Sequence, residues 1–466
     1  MRVAIYLSVV AQAKCVSCAT RARYSQALVF AALMAQACAV SSPEQAVSSQ
    51  APSQHATALP PQHEVVDLSP QLGGADTRPS DSMATSRQGG HLRWHAITRE
   101  ARLPRSARIA IFTTGGGALN HDETLLFIGN SGNTRVQVLD SNNLEVLATT
   151  SVGDAPDIIL PIHNGRLILA GASFGRLSSR GWGAYRRASK VYILDGATGA
   201  LRGELNVGEN FGDLLELRDG SVVVSTVHGA RITRFNPESL EVYSELETRR
   251  DGFTPGGLAM ANDQSVAVAS GGVFDVSFSQ GLRTRPRGSE ILFFDPLDPA
   301  ERVRIEFMDT LFQPRTPMFH PDGRHVLFPN RGADTLTVLD WQRMQVVDTL
   351  DVGVKPEQLG PVPETPFVWL RTDGERSISF IHLGSGEQRT SQLSGLATGS
   401  PIVSADGQFL YIPTRRRNGV AVVELRSQRQ VDFIPLKGAP SDLVLDRSGT
   451  RLYAIQPGAN RVSIIQ

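Results

Sequence analysis

The chain has 466 residues, 41% of them hydrophobic, and a formal net charge of zero from 46 basic and 46 acidic side chains. That is enough for one large or two medium globular domains. Neutrality argues against bulk nucleic-acid binding, which needs a basic excess to displace counterions from phosphates. All three cysteines, Cys15, Cys18 and Cys38, lie near the N-terminus, which excludes a disulfide framework or thiolate metal site from everything beyond them.

Residues 1–38 read as an export signal. Arg21 and Arg23 supply a positive segment, ALVFAALM (27–34) a short apolar core, and AQAC (35–38) follows. The apolar run is too short to span a membrane as a helix, as expected of a cleaved signal. A small residue before Cys38 matches a degenerate lipobox, with Ala35 where leucine is usual, so Cys38 is the expected lipidation site. Plain cleavage after Ala37 is the alternative. Residues 1–20 are unusual for such a signal and point to a start downstream of Met1. The CVSC run at 15–18 is followed by Ala19, not the histidine that haem attachment needs. Residues 39–106 open on a Ser/Gln/Pro/Ala-rich stretch that cannot bury enough apolar surface to offset ordering entropy, and they read as a flexible tether.

From Leu125 onward one pattern recurs. The first unit runs TLLFIGN, RVQVLD, EVLATTSVG and a Gly/Pro turn, and its counterparts begin at Arg166, Ser221, Ser265, Arg324, Phe367, Gln408 and Arg451. The apolar runs are short, alternate, and are rich in Val, Ile, Leu, Phe and Tyr, which predicts strands. Asp219-Gly220, Asp322-Gly323 and Asp406-Gly407 predict hairpins of type I′, with positive φ at both central residues. Four strands every 40–60 residues predict an all-β protein, a single β-propeller of four-stranded blades over 107–466. The count gives eight blades, with seven as the alternative. The last unit stops at RVSIIQ (461–466) without an outer strand, while ARIAIFT (107–113) is a strand without a unit. Placing that N-terminal strand outermost in the last blade closes the ring and removes exposed edges.

These units resemble the YVTN-type β-propeller repeat. The resemblance rests on Leu126–Asn130 with Val136–Asp140 and Val152-Gly-Asp-Ala-Pro156, and on Phe328–Asn330 with Leu336–Asp340 and Val352–Pro356. It covers about three quarters of the chain. It implies an extracytoplasmic fold and says little of activity, because the matching residues serve turns and strand packing. Relatives of that family include cell-surface binding proteins, and related propellers carry lactonase or redox activities.

In a four-stranded blade, the turn between second and third strands shares a face with the connection entering the innermost strand. Two such turns carry long inserts, at 172–190 and 271–288. Long aromatic-bearing loops cost ordering entropy and are more often functional than neutral. The first brings Arg176, Arg180, Trp182, Tyr185, Arg186 and Arg187; the second brings Phe274, Phe278, Arg283, Arg285 and Arg287. Shorter turns add Arg331, Arg371, Arg376, Arg415, Arg416 and Arg417, and the acids of a neutral chain are then expected elsewhere. Arginine pairs bidentately with carboxylate or phosphate and stacks on aromatic rings. The face therefore suits a protein partner or an anionic polysaccharide or lipid, with membrane contact through the lipid anchor only.

Asp157, Asp213, Glu357 and Asp442 fall at inner-strand entries and are expected to line an axial channel. Converging carboxylates there could hold a hard cation, though hydration of the channel is the simpler expectation, and no metal or cofactor is assigned. The histidines (His121, His163, His228, His320, His325 and His382) are scattered without ligand spacing, and His320 is expected in a turn. Gly115–Gly117 precede a strand and read as a turn, not a phosphate cradle. No nucleophile elbow, Walker loop or zinc motif is present. The expected function is an envelope-anchored binding or scaffold propeller, exported to the periplasm or outer membrane. The alternative is a propeller enzyme, lactonase-like or part of a redox assembly, using the axial carboxylates and a cation.

Overall fold

The computed structural model describes residues 97–102, 116–130, 134–154, 156–172, 190–227, 229–248, 253–277, 283–299, 302–307 and 315–466. The strands pair into eight antiparallel sheets. Blades 1 to 7 span 117–151, 158–206, 211–247, 253–307, 318–351, 356–392 and 396–435; blade 8 takes 442–465 and a strand from the N-terminal side. In blade 7 the innermost position is shared by two short strands, Leu396–Ala397 and Ile402–Val403, both paired to Phe409–Arg415.

Side-chain alternation turns these sheets into a ring. Leu126 and Ile128 point one way from blade 1 and pack on Tyr453 and Ile455 of blade 8; Phe127 points the other way, onto Ile168 and Ala170 of blade 2. The same period of two recurs around the molecule. Eight apolar clusters result, one at each blade-to-blade interface, the last joining blades 8 and 1. Second strands such as Leu167–Gly171 and Val222–Thr226 are buried along their whole length because a blade covers each face. Outermost strands such as Val146–Ser151 and Leu201–Asn206 keep exposed and half-exposed positions in alternation. The chain is an eight-bladed β-propeller.

An N-terminal outer strand closes the ring, but it is not 107–113. Ile97–Arg102 pairs antiparallel with Arg461–Ile465, from Ile97 opposite Ile465 to Arg102 opposite Arg461. Glu100 fixes it through Oε2, which accepts from Lys437 Nζ at 2.6 Å and Arg461 Nη1 at 3.1 Å. An outermost strand has one solvent-facing side, so the apolar-poor ITREAR suits the position better than ARIAIFT. Residues 107–113 lie outside the described residues.

The Asp-Gly turns are hairpins of a different type from that expected. Only the glycine has positive φ, +80° at Gly220, +69° at Gly323 and +70° at Gly407. Gly220 N–H donates to Leu217 O at 2.9 Å, and Leu217 N–H to Ser221 O at 2.8 Å. This is a type I turn followed by a left-handed glycine. The aspartate need not adopt positive φ; Asp219 Oδ1 instead accepts the Ser221 N–H at 2.9 Å.

Candidate functional site

The face carrying the inner-strand entries and the second-to-third turns holds a network of charged side chains on blades 5 to 7. Arg331 follows the second strand of blade 5. Its Nε donates to Glu357 Oε1 and its Nη2 to Asp373 Oδ2 at 2.8 Å. Arg315, in the connection entering blade 5, donates to the same Glu357 oxygen at 3.1 Å. The hydrogen bond to Glu357 raises the Arg331 pKa above its ordinary value, with Asp373 adding to it. Glu357 occupies a register shift in the innermost strand of blade 6, between the pairs Pro356–Thr372 and Gln358–Arg371. Such irregularities re-aim a side chain at a sheet rim.

Arg371 stands beside this network. It is the next-to-last residue of the second strand of blade 6, Phe367–Thr372, and is only 9% exposed. Its Nε donates to Gln358 Oε1 at 3.0 Å, and Gln358 Nε2 donates to Ser400 Oγ at 2.8 Å. Burial pushes the Arg371 pKa down; Glu357 and Asp373 act upward, and Arg315 and Arg415 act downward again. Four guanidinium groups therefore share this region with two carboxylates.

The expectation that the acids would lie elsewhere does not hold here, because Glu357 and Asp373 neutralise part of this face. The axial role assigned to Glu357 changes with it: its oxygen is engaged by two arginines. Arg376 donates to Ser394 O at 2.9 Å, and Arg417 lies 4.4 Å over the Phe433 ring. Arg415 and Arg416 are exposed. Arg315 was missed by sequence reasoning, which surveyed the second-to-third turns and not the arginines of the connections on the same face.

The other axial acids serve as staples between blades. Asp442 Oδ2 accepts the N–H of Gly117 in blade 1 at 3.1 Å, and its Oδ1 the N–H of Leu443 at 3.0 Å. Asp213 Oδ2 accepts Leu258 N–H of blade 4 at 3.0 Å, and Oδ1 accepts Leu214 N–H at 2.9 Å. Burial raises Asp213 to about 6 and Asp442 to about 7, against those backbone hydrogen bonds. Asp157 is 1% exposed, and its carbonyl accepts the Gly116 N–H at 2.9 Å. Among the described residues, no three His, Cys, Asp or Glu side chains lie close enough to hold a metal ion.

Gly116 and Gly117 lead into and begin the innermost strand of blade 1, where a turn was expected. A Cβ on Gly116 would stand 2.6 Å from Ile159 N, and one on Gly117 2.2 Å from Ile455 Cδ1. Their glycine character serves close approach of blades 8, 1 and 2. His320 does occupy a turn, its N–H donating to His325 O at 2.8 Å.

The two long inserts are only partly described. Arg176, Arg180, Trp182, Tyr185, Arg186, Arg187 and Phe278 lie outside the described residues. The described part of the second insert is strand, not loop. Ala267–Ser277 and Arg283–Phe294 are 11 and 12 residues long and continue the hairpin of blade 4. Asp275 faces Arg285 in register, Ser277 faces Arg283, and Phe274 pairs with Pro286, leaving Arg287 at a register shift before the Val273–Gly288 pair.

Solved structures with similar folds include dihydro-heme d1 dehydrogenase NirN in complex with DHE, at TM-score 0.56 and 15% identity over 76% of this chain and 72% of that one. Sqt1 of Saccharomyces cerevisiae gives 0.58 and 11% over 76% and 96%. The C-terminal WD40 domain of Sif2 gives 0.53 and 14% over 76% and 95%. These likenesses show the fold alone. No family model matches the chain, and no curated protein matches it in sequence.

Proposed function

We propose that the protein is an envelope-held binding propeller that presents its arginine-bearing face to an anionic partner. The observation that carries this reading is the arginine cluster on blades 5 to 7, where Arg315, Arg331, Arg371 and Arg415 gather around Glu357 and Asp373. The insert arginines on the same face would extend the positive surface toward blades 2 and 4. The YVTN-type motifs accord with an extracytoplasmic binding protein. The staple roles of Asp213 and Asp442 leave them poorly placed to gather a catalytic cation.

Two experiments test the reading. Replacing Arg186, Arg187, Arg285 and Arg287 together by glutamine should abolish partner capture from an envelope extract, while Asp157→Asn and Asp213→Asn retain it. Capture or turnover lost only in the carboxylate variants would favour the enzyme. For anchoring, Cys38→Ala should move the protein from the membrane fraction to the soluble one. A wild-type protein that is already soluble and carries no lipid mass would contradict the anchor.

A further inference from the structure

We propose that Arg371 is the seat of a small dianionic organic acid, a dicarboxylate or a phosphomonoester, bound between blades 6 and 7. The inference rests on the binding reading above and narrows it to one side chain and one ligand chemistry.

Arg371 is nine-tenths buried, yet its only side-chain hydrogen bond among the described residues is through Nε, to Gln358. Neither Nη group has a protein acceptor there, and neither is a fully buried orphan, so both keep some access to solvent. No carboxylate bonds to it: Glu357 is engaged by Arg315 and Arg331, and Asp373 by Arg331. Glu357 and Asp373 support the Arg371 charge from nearby, but their side-chain hydrogen bonds go to Arg315 and Arg331. The Nη donors of Arg371 are therefore suited to an anion supplied from outside.

The fork is also pre-oriented. Gln358 lies opposite Arg371 in register and is itself tied to Ser400 in blade 7, so both blades fix the guanidinium plane. With Nε occupied, the two Nη groups offer parallel donors to two oxygens of one carboxylate or phosphate. Ser400 Oγ accepts from Gln358, which leaves its hydroxyl hydrogen free to donate. Arg315 and Arg331 are already paired with Glu357 and Asp373, which leaves the charges of Arg371 and the nearby Arg415 for a dianion to balance.

The test is calorimetric titration of the full chain with succinate and with inorganic phosphate at low salt. Saturable one-site binding of at least one probe is expected. Arg371→Gln should weaken it at least ~30-fold, and Arg371→Lys at least ~tenfold, because lysine keeps the charge but lacks the fork. Arg426→Gln, on the opposite face, should bind as wild type does. Tighter binding of succinate would assign a carboxylate ligand, and tighter binding of phosphate a phosphomonoester. If Arg371→Gln fails to fold, the Arg371→Lys result decides. Absence of saturable binding of both probes, or equal affinity in wild type and the Arg371 variants, would overturn the proposal. Loss of partner capture in the insert-arginine variant alongside that result would leave the broader binding reading standing.

Discussion

Asp442 sits at the top of the innermost strand of blade 8 and holds the backbone of blade 1 through the Gly117 N–H. Asp213 does the same between blades 3 and 4. Their burial has a consequence for stability. Unfolded aspartate titrates near pH 4, whereas these two titrate at about 6 and about 7 in the fold. Between about pH 4 and 7 the folded chain therefore binds more protons, so stability falls as pH rises through that window and levels off above it. Each carboxyl contributes on the order of 1 kcal/mol per pH unit while folded and unfolded states differ in protonation. Urea denaturation should give a higher midpoint at pH 5 than at pH 8, and Asp442→Asn should flatten the difference. An unchanged pH slope in that variant would contradict the assignment. Asp322 acts oppositely below that window: burial pushes it up, but hydrogen bonds from His325 and the Arg324 and His325 backbones hold it below its ordinary value. Sequence position marked Asp213 and Asp442 as axial but could not reveal their partners, because Gly117 is 325 residues from Asp442.

At the scale of elements, the strand at Ile97–Arg102 joins the two ends of the ring. Without it, the edge of Arg461–Ile465 would be open, along with the Glu100 contacts to Lys437 and Arg461. A chain beginning at residue 103 should lose on the order of 3 kcal/mol, from several backbone hydrogen bonds at about 0.5–1.5 kcal/mol each. It should also aggregate more readily through the exposed edge. A chain beginning just before Ile97 should keep its melting temperature. Equal stability of the two would remove the strand from the closure. Closure itself was legible, since the last blade lacks an outer strand. The identity of the closing strand was not, because apolar content marks buried strands and this one has a solvent-facing side. The same effect hid the second insert: its polar and glycine-rich residues read as a loop, although register pairing carries them as a hairpin.

Across the whole molecule, arginine has two uses that composition cannot separate. On the opposite face it ties blades together: Arg218 donates to Asn262 O at 2.8 Å, and Arg447 to Asn164 Oδ1 at 3.0 Å. Arg234 likewise reaches Leu297 O at 2.8 Å. These contacts join blade 3 to blade 4 and blade 8 to blade 2, and they account for these three arginines without a ligand. What distinguishes the blades 5 to 7 cluster is surplus positive charge beside a buried guanidinium with free donors. Zero net charge conceals that local excess. If this face captures an anionic partner, the attraction is electrostatic and must weaken as salt screens it, with a screening length near 10 Å at 0.1 M. The most direct measurement is the affinity of the full chain for its captured partner as a function of ionic strength. The binding account predicts at least a ~tenfold loss between about 50 and 300 mM salt, and a much shallower slope once Arg186, Arg187, Arg285 and Arg287 are replaced. Affinity independent of salt, or the same slope in that variant, would contradict it.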